Sequence, residues 1–474
     1  MTETIARQLA GFIRTCRIQT LPQSVTGRAK LYTLDTLGAI AAGVGEPSSR
    51  IITSVASRVG GRGNCTVIGS DLRVSATTAA LINGAAGHAV EIDDDHRTSA
   101  LHPGVAVLPA ALAVAEDCGA DGSTLLEGIV AGYEVMTRIG DAFRGGQDRV
   151  GFHSTGTCGV FGAAAAAGRI LQLDTDQLST ALGIAGSQAA GLQAWKSDGS
   201  WTKRLHPGKA AESGILSALL AAEGYTGPET IFEGPHGFLK AYAGGEPYDP
   251  DLITRNLGTE FRGAETAFKP YACCRFSHQL VDVVLNLVAK HEFDAKDVER
   301  CVIRIYRSGY NALFEPAARR ARPETVVDAQ FTAPYIVAVS LIYGPPLPHH
   351  FNSEMLSNPA VLELIGRIEG APDDTFEKSF PDSYPTHVTI LLKDGRRIEG
   401  FEEVASGDPA KQVYSKYPER FEEEIVQKFR SLMNASPHFR GRVDAILRDA
   451  LRLESLEAVT ELSGHLAATD DSKA

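Results

Sequence analysis

The sequence holds no Cys-X-X-Cys pair, no apolar run near membrane length, no excess of positive charge and no low-complexity or repeated block. Each absence closes off a class of function. The seven cysteines, Cys16, Cys65, Cys118, Cys158, Cys273, Cys274 and Cys301, are scattered, and only Cys273 and Cys274 adjoin. That pattern suits neither a zinc ribbon nor a redox dithiol, and an iron–sulfur cluster needs three or four cysteines at set spacings. With 46 basic against 58 acidic residues the formal net charge is −12, so neither nucleic acid nor an anionic membrane is an expected partner. No stretch approaches the roughly 18 apolar residues of a membrane span. Glu3, Arg7, Arg14 and Arg17 interrupt residues 1–20, so that segment reads as an amphipathic helix rather than a secretory leader, and the expected location is the cytoplasm.

What is present is ample. The 474 residues are 43% hydrophobic and include 47 glycines, enough for a large core in more than one domain. Many glycines sit beside alanine in helix-like stretches, which points to closely packed helices. Residues 1–248 read almost wholly as helix. Leu31, Leu34, Leu37 and Ala41 recur at helical spacing, as do Val105, Leu108, Leu112 and Ala115 after Pro103. Residues 124–127 fit a capping box, 159–171 and 177–190 fit further helices, and 210–223 follows a basic segment. After about residue 266 the pattern changes. A helix over 278–290, an alternating strand over 301–306, a helix over 329–343 and a hairpin turning at Asp394-Gly395 make a smaller α/β unit. Helix resumes over 419–462, and the polar tail 467–474 is expected to fray.

Four segments concentrate ionisable residues between core-like helices. His88-Ala-Val-Glu91-Ile-Asp93-Asp94-Asp95-His96 crowds four carboxylates into five positions, with His102-Pro103 shortly after. Mutual repulsion in a shielded site raises at least one such pKa, which equips a general acid or base. The same run also fits a solvated, helix-capping loop, or a divalent-cation site with His88, His96 and His102. Residues 151–157 place His153 and several hydroxyls before an alanine-rich helix, where anions are stabilised; a structural cap is the plainer reading. Lys203, Arg204, His206 and Lys209 form a basic cluster suited to carboxylates, or a solvated loop. The segment 268–278, with Lys269, Cys273, Cys274 and Arg275, lies at the junction of the two regions, where ligand sites gather. Its cysteines read as small buried residues rather than nucleophiles.

Taken in order, these segments resemble the MmgE/PrpD family, which includes 2-methylcitrate dehydratase, cis-aconitate decarboxylase and iminodisuccinate epimerase. The resemblance covers nearly the whole chain: Asn83-Gly84 before His88, GFHSTGTCGVFGAA, TKRLHPGKAA, FKPYACCRFSH, DAQFTAPY and VTILLKDGR. It implies a mainly α protein, with a large all-α domain from residues 1–266 and 402–474 and an inserted α/β lid over 267–401. It also implies a homodimer, no cofactor, no metal, and an active site between helices and lid. The family's acidic motif falls on His88, Glu91, Asp93 and Asp94, its His-Pro on His102-Pro103, and its remaining matches on His153, Lys203 and Lys269.

Two departures stand out. Glu91 replaces the family's first aspartate, and the spacing from there to His102 is one residue longer than in the decarboxylase branch. Both fall where a substrate meets the acid/base groups. The chemistry expected from the resemblance is charge generation on carbon next to a carboxylate. His102 or His153 would exchange the proton, with Glu91, Asp93 and Asp94 tuning it. Lys203 and Lys269 would clamp carboxylates, supported by Arg204, His206 and Arg275. The favoured expectation is a hydro-lyase acting on 2-methylcitrate or a related hydroxy-polycarboxylate. Decarboxylation, epimerisation and a non-catalytic scaffold are the alternatives.

Overall fold

A computed structural model describes residues 3–468. Most of the chain is helical, and the helices of the first half pack as their small residues allow. The Ser154–Ile170 helix runs against Gly122–Asp141 on one side and Thr202–Ala222 on the other, and Ala76–Gly87 packs on Thr202–Ala222. That last pair approaches backbone to backbone. A Cβ on Gly208 would lie 2.2 Å from the Leu81 carbonyl oxygen, and one on Gly84 would lie 2.8 Å from the Gly208 Cα. Only glycine permits this contact, and it brings the start of one helix beside the end of the other. The Glu419–Ala435 helix returns to pack on Gln23–Gly43.

Later in the chain a four-stranded sheet has the spatial order Ile368–Asp373, Val298–Tyr306, Thr386–Leu392, Arg397–Glu402. The first pair is parallel (Cys301 opposite Ile368), the others antiparallel (Ile303 opposite Val388, Ile390 opposite Ile398). Thr386, Val388, Ile390 and Leu392 are buried while the residues between them are only partly so, the period-2 alternation of a sheet with one covered face. Gly395, at φ 88°, makes the hairpin turn. Among the described residues two large hydrophobic clusters result, beside a small one of Ala181, Ile184 and Ala221. One lies among the helices; the other lies mostly between Tyr271 and Ile398 and reaches Ala39, Val90, Ile92, Trp195 and Leu432.

Several elements differ from the sequence expectation. The helix expected from 210 begins at Thr202, so the basic segment forms its first two turns rather than a preceding loop. Thr124 is not a cap: the Asp121 carboxylate accepts the Thr124 amide at 2.7 Å, and the nearby Glu127 turns inward to Arg169 and the Ile18 amide. The 329–343 helix is two, Val326–Gln330 and Ala333–Tyr343. Pro334 near the second start has no amide to donate, and the break exposes Phe331 to the cavity described below. Residues 419–462 likewise divide into Glu419–Ala435 and Val443–Leu451, then Thr460–Leu466, with Pro437 and Gly441 in the first gap. The N-terminal helix is Ile5–Thr15, shorter than expected. The tail beyond 468 lies outside the described residues, among which no helix is long and apolar enough to cross a membrane.

Candidate active site

The acidic segment leaves the end of the Ala76–Gly87 helix at His88 and is held by backbone bonds. Asp95 and Ala267 exchange amide–carbonyl bonds at 2.8 Å each, and the His96 amide donates to the Leu101 carbonyl at 2.8 Å. Glu91 sits at φ 56°, a left-handed conformation that a non-glycine residue keeps only when its surroundings impose it. Those surroundings are cationic. Lys203 binds the Glu91 carboxylate directly, and Lys269 Nζ lies 3.5 Å from its other oxygen and 3.5 Å from its carbonyl. From beneath, Lys428 donates to the Ile92 carbonyl and pairs with Asp35 at 2.6 Å.

Around this ion pair the histidines assemble. The Nδ1 of His88 meets the Asp93 carboxylate at 2.7 Å, and its Nε2 faces Lys203 Nζ at 2.8 Å. Lys269 Nζ is 3.6 Å from the second Asp93 oxygen. His102 donates through Nδ1 to the Asp94 carbonyl at 2.6 Å, with Asp93 and Asp95 oxygens each 3.7 Å away. His153 precedes the Ser154–Ile170 helix, stacks near the His88 ring at 5.5 Å and meets His206, Nδ1 to Nδ1, at 3.0 Å.

Almost all of these groups are buried, and burial sets their protonation. It pushes the His102 and His153 rings well below the ordinary histidine range, helped by the neighbouring lysines, and lowers His206 to about 4. Both rings are therefore neutral near pH 7 and able to accept a proton. Burial opposes the Glu91 charge, but Lys203 and Lys269 together outweigh it and hold the carboxyl at about 2. Asp93 is likewise held ionised against burial, chiefly by His88 and Lys269. Lys203 is depressed by burial, partly countered by Glu91, whereas Lys269 is raised because Asp93 and Glu91 overcome its burial. Asp94 and Asp95 are both raised by burial.

A cavity opens onto this cluster, lined by Glu91, Asp95, His102, His153, Lys203 and Arg275. Asp93 and Lys269 stand directly behind Glu91. Three residues expected among the substrate contacts do not line the cavity. The Asp94 carboxylate accepts Tyr133 Oη at 2.6 Å and the Gly104 amide at 2.9 Å, so it braces the loop against two helices. Arg204 points to Ser48 at 3.0 Å and Glu46 at 3.3 Å, because residues in the first turn of a helix project to different sides and Lys203 takes the inner one. His206 stands behind His153. Arg275 meets Asp95 at 3.3 Å and Asp408 at 3.0 Å.

Much of the remaining lining went unread in the sequence. Gln193, Trp195 and Lys196, from one short 3-10 turn, and Phe331 line the cavity with Cys274 and Phe276. Lys203 Nζ lies 5.8 Å from the Trp195 ring and 5.3 Å from the Phe331 ring, so its charge is held by aromatic faces as well as by Glu91. The available signals were Trp195, one of two tryptophans in the chain, and the DAQFTAPY segment that carries Phe331.

Sequence models of the MmgE/PrpD N-terminal domain and the MmgE/PrpD C-terminal domain match residues 7–251 and 271–453. The chain belongs to the MmgE/PrpD family. Within that family it is similar to cis-aconitate decarboxylase-like protein oryM of Aspergillus oryzae, 30% identical over 97% of this chain and 96% of that one. It is 28% identical to the cis-aconitate decarboxylase of Aspergillus terreus, over 93% of this chain and 91% of the relative. The mouse cis-aconitate decarboxylase is also 28% identical, over 98% and 93%. These MmgE/PrpD relatives are lyases by name, and the alignments span the cavity from Glu91 to Phe331.

Proposed function

We propose that this MmgE/PrpD chain is a cofactor-independent lyase that decarboxylates a small unsaturated polycarboxylate of the cis-aconitate kind. One observation carries the reading: two neutral histidines and a lysine held by a carboxylate face one cavity that an arginine also lines. Arg275 Nη1 and Trp195 Nε1 have no hydrogen-bond partner among the described residues, and Arg275 Nε has only the ion pair with Asp95 at 3.3 Å. Buried donors of this kind call for an acceptor, and a second substrate carboxylate supplies one. In the proposed step the bond from carbon to the departing carboxylate breaks and carbon dioxide leaves. The electron pair spreads over the adjacent double bond and its carboxylate, steadied by Lys203, and a proton delivered through His102 or His153 closes the new carbon–hydrogen bond. Lys269 and Asp93 keep Glu91 and His88 in place.

Decarboxylation takes precedence over the hydro-lyase reading because the relatives bearing that name align along nearly the whole chain. Dehydration of 2-methylcitrate or a similar hydroxy acid is the second reading, and Asp95 favours it. Its carboxyl lines the cavity, is raised by burial, and lies 3.7 Å from His102, where a held proton would assist loss of hydroxide. Assembly as a homodimer in the cytoplasm belongs to the same proposal. Incubation with cis-aconitate, citrate and 2-methylcitrate separately, with products resolved by anion-exchange chromatography and carbon dioxide trapped, tests it. Carbon dioxide from cis-aconitate supports decarboxylation. Alkene formation from a hydroxy acid without gas moves the assignment to dehydration, and no product from any of them overturns both.

A further inference from the structure

His88, His102 and His153 each offer one ring nitrogen within 4.8 Å of those of the other two. They come from three separate pieces of chain: a helix end, a loop and the residue before another helix. Each ring is anchored through Nδ1, to the Asp93 carboxylate at 2.7 Å, the Asp94 carbonyl at 2.6 Å and His206 at 3.0 Å. A carboxylate or carbonyl on the far nitrogen is what orients histidines around a bound metal ion and leaves Nε2 as the ligand. Metal–nitrogen bonds of about 2.0–2.1 Å in a tetrahedral site place ligand nitrogens about 3.3 Å apart. Measured between the ring nitrogens that lie within 4.8 Å of one another, the trio needs to close by about 1.5 Å at most.

We propose that this trio binds a divalent transition-metal ion of the zinc class, and that the ion inhibits the enzyme. Three imidazoles suit zinc or cobalt and disfavour magnesium and calcium, which take oxygen ligands. Glu91 and Asp93 balance Lys203 and Lys269, so the ion does not enter a net positive pocket. It does have to take His88 Nε2 from Lys203 Nζ, now 2.8 Å away. The ion's fourth position faces the cavity and accepts water or a carboxylate. Inhibition follows because the bound ion removes the lone pairs of His102 and His153 and shifts the lysine meant for substrate. This last clause rests on the lyase reading; binding itself does not.

Cobalt(II) is the probe, titrated into the metal-stripped protein and followed by its visible absorption. The expected result is one ion per chain with the intense bands of a tetrahedral nitrogen site, displaced by zinc and not by magnesium. Asp93→Asn lowers affinity about 10–100-fold, as loss of a ligand-orienting carboxylate does. His153→Gln and His102→Gln each lower it further, while Cys274→Ser, at a soft group lining the same cavity, leaves it unchanged. Circular dichroism checks that each variant is folded. Absence of saturable binding, or binding indifferent to the three histidines, overturns the site. Zinc that stimulates turnover of a polycarboxylate overturns its inhibitory role. Saturable cobalt binding to a protein whose metal-stripped form turns over no polycarboxylate supports the site and counts against the lyase reading alone.

Discussion

Replacing Lys203 with methionine keeps the length of the side chain and removes its charge from a site where it is 5% exposed. Glu91 is then left in the interior with only Lys269, at 3.5 Å, which it shares with Asp93 at 3.6 Å. Two carboxylates would face one ammonium group. Breaking a buried pair from one side costs about 3–5 kcal/mol, and the remaining lysine puts the expected loss near the lower end, about 3 kcal/mol. The same change removes the cation meant for the substrate, and loss of one such preorganised group lowers turnover about 10²–10³-fold. Adding Glu91→Gln separates the two effects. The double variant regains stability to within about 1 kcal/mol of wild type, since replacing both partners leaves no orphaned charge, yet it stays inactive. Urea unfolding and kcat/KM measured on the four proteins of the cycle give both numbers. A single variant as stable as wild type, or a double variant that recovers turnover, would refute the reasoning.

His153→Gln should lower kcat about 10²–10⁴-fold, the usual contribution of a positioned acid or base, while the circular dichroism spectrum is unchanged; a loss under tenfold contradicts the role. Because burial lowers the His153 pKa in the folded state, the native ring binds fewer protons than the unfolded chain once pH falls below about 6.5. Stability then falls as pH falls, by about 1.4 kcal/mol per unit, until the folded pKa is reached. The stability advantage of wild type over His153→Gln should shrink from pH 7 to 5, and a constant difference argues against a buried neutral ring. Gly208→Ala forces a Cβ to within 2.2 Å of the Leu81 carbonyl, so a loss of about 1–3 kcal/mol in denaturant unfolding is expected; no loss means that the helices part freely. Arg204→Met should cost about 1.5–3 kcal/mol for its charged hydrogen bonds and leave KM unchanged, because Arg204 faces Ser48 and Glu46. A raised KM would return it to the substrate.

The histidines, lysines and acidic run were legible because such groups are rarely packed between apolar helices without a task, and their order along the chain carried the family resemblance. The alternating strand over 301–306 and the Asp-Gly turn were equally plain. Side-chain direction was not. Lys203 and Arg204 are neighbours with the same charge, and only the Gly84–Gly208 approach decides which one meets His88. Asp93, Asp94 and Asp95 look alike as letters, yet one pairs with His88, one braces Tyr133 and Gly104, and one faces Arg275. The aromatic wall was hidden for another reason. Trp195 and Phe331 lie more than a hundred residues apart, and nothing local marks either as more than core.

The most direct test of carbon-acid chemistry at this cavity is proton NMR of cis-aconitate with the protein in deuterium oxide. The account predicts a product carrying deuterium at the carbon next to the lost carboxylate or its allylic partner, with the signal abolished by His153→Gln and by Lys203→Met. Product without solvent deuterium, or deuterium incorporation that survives both substitutions, would contradict it.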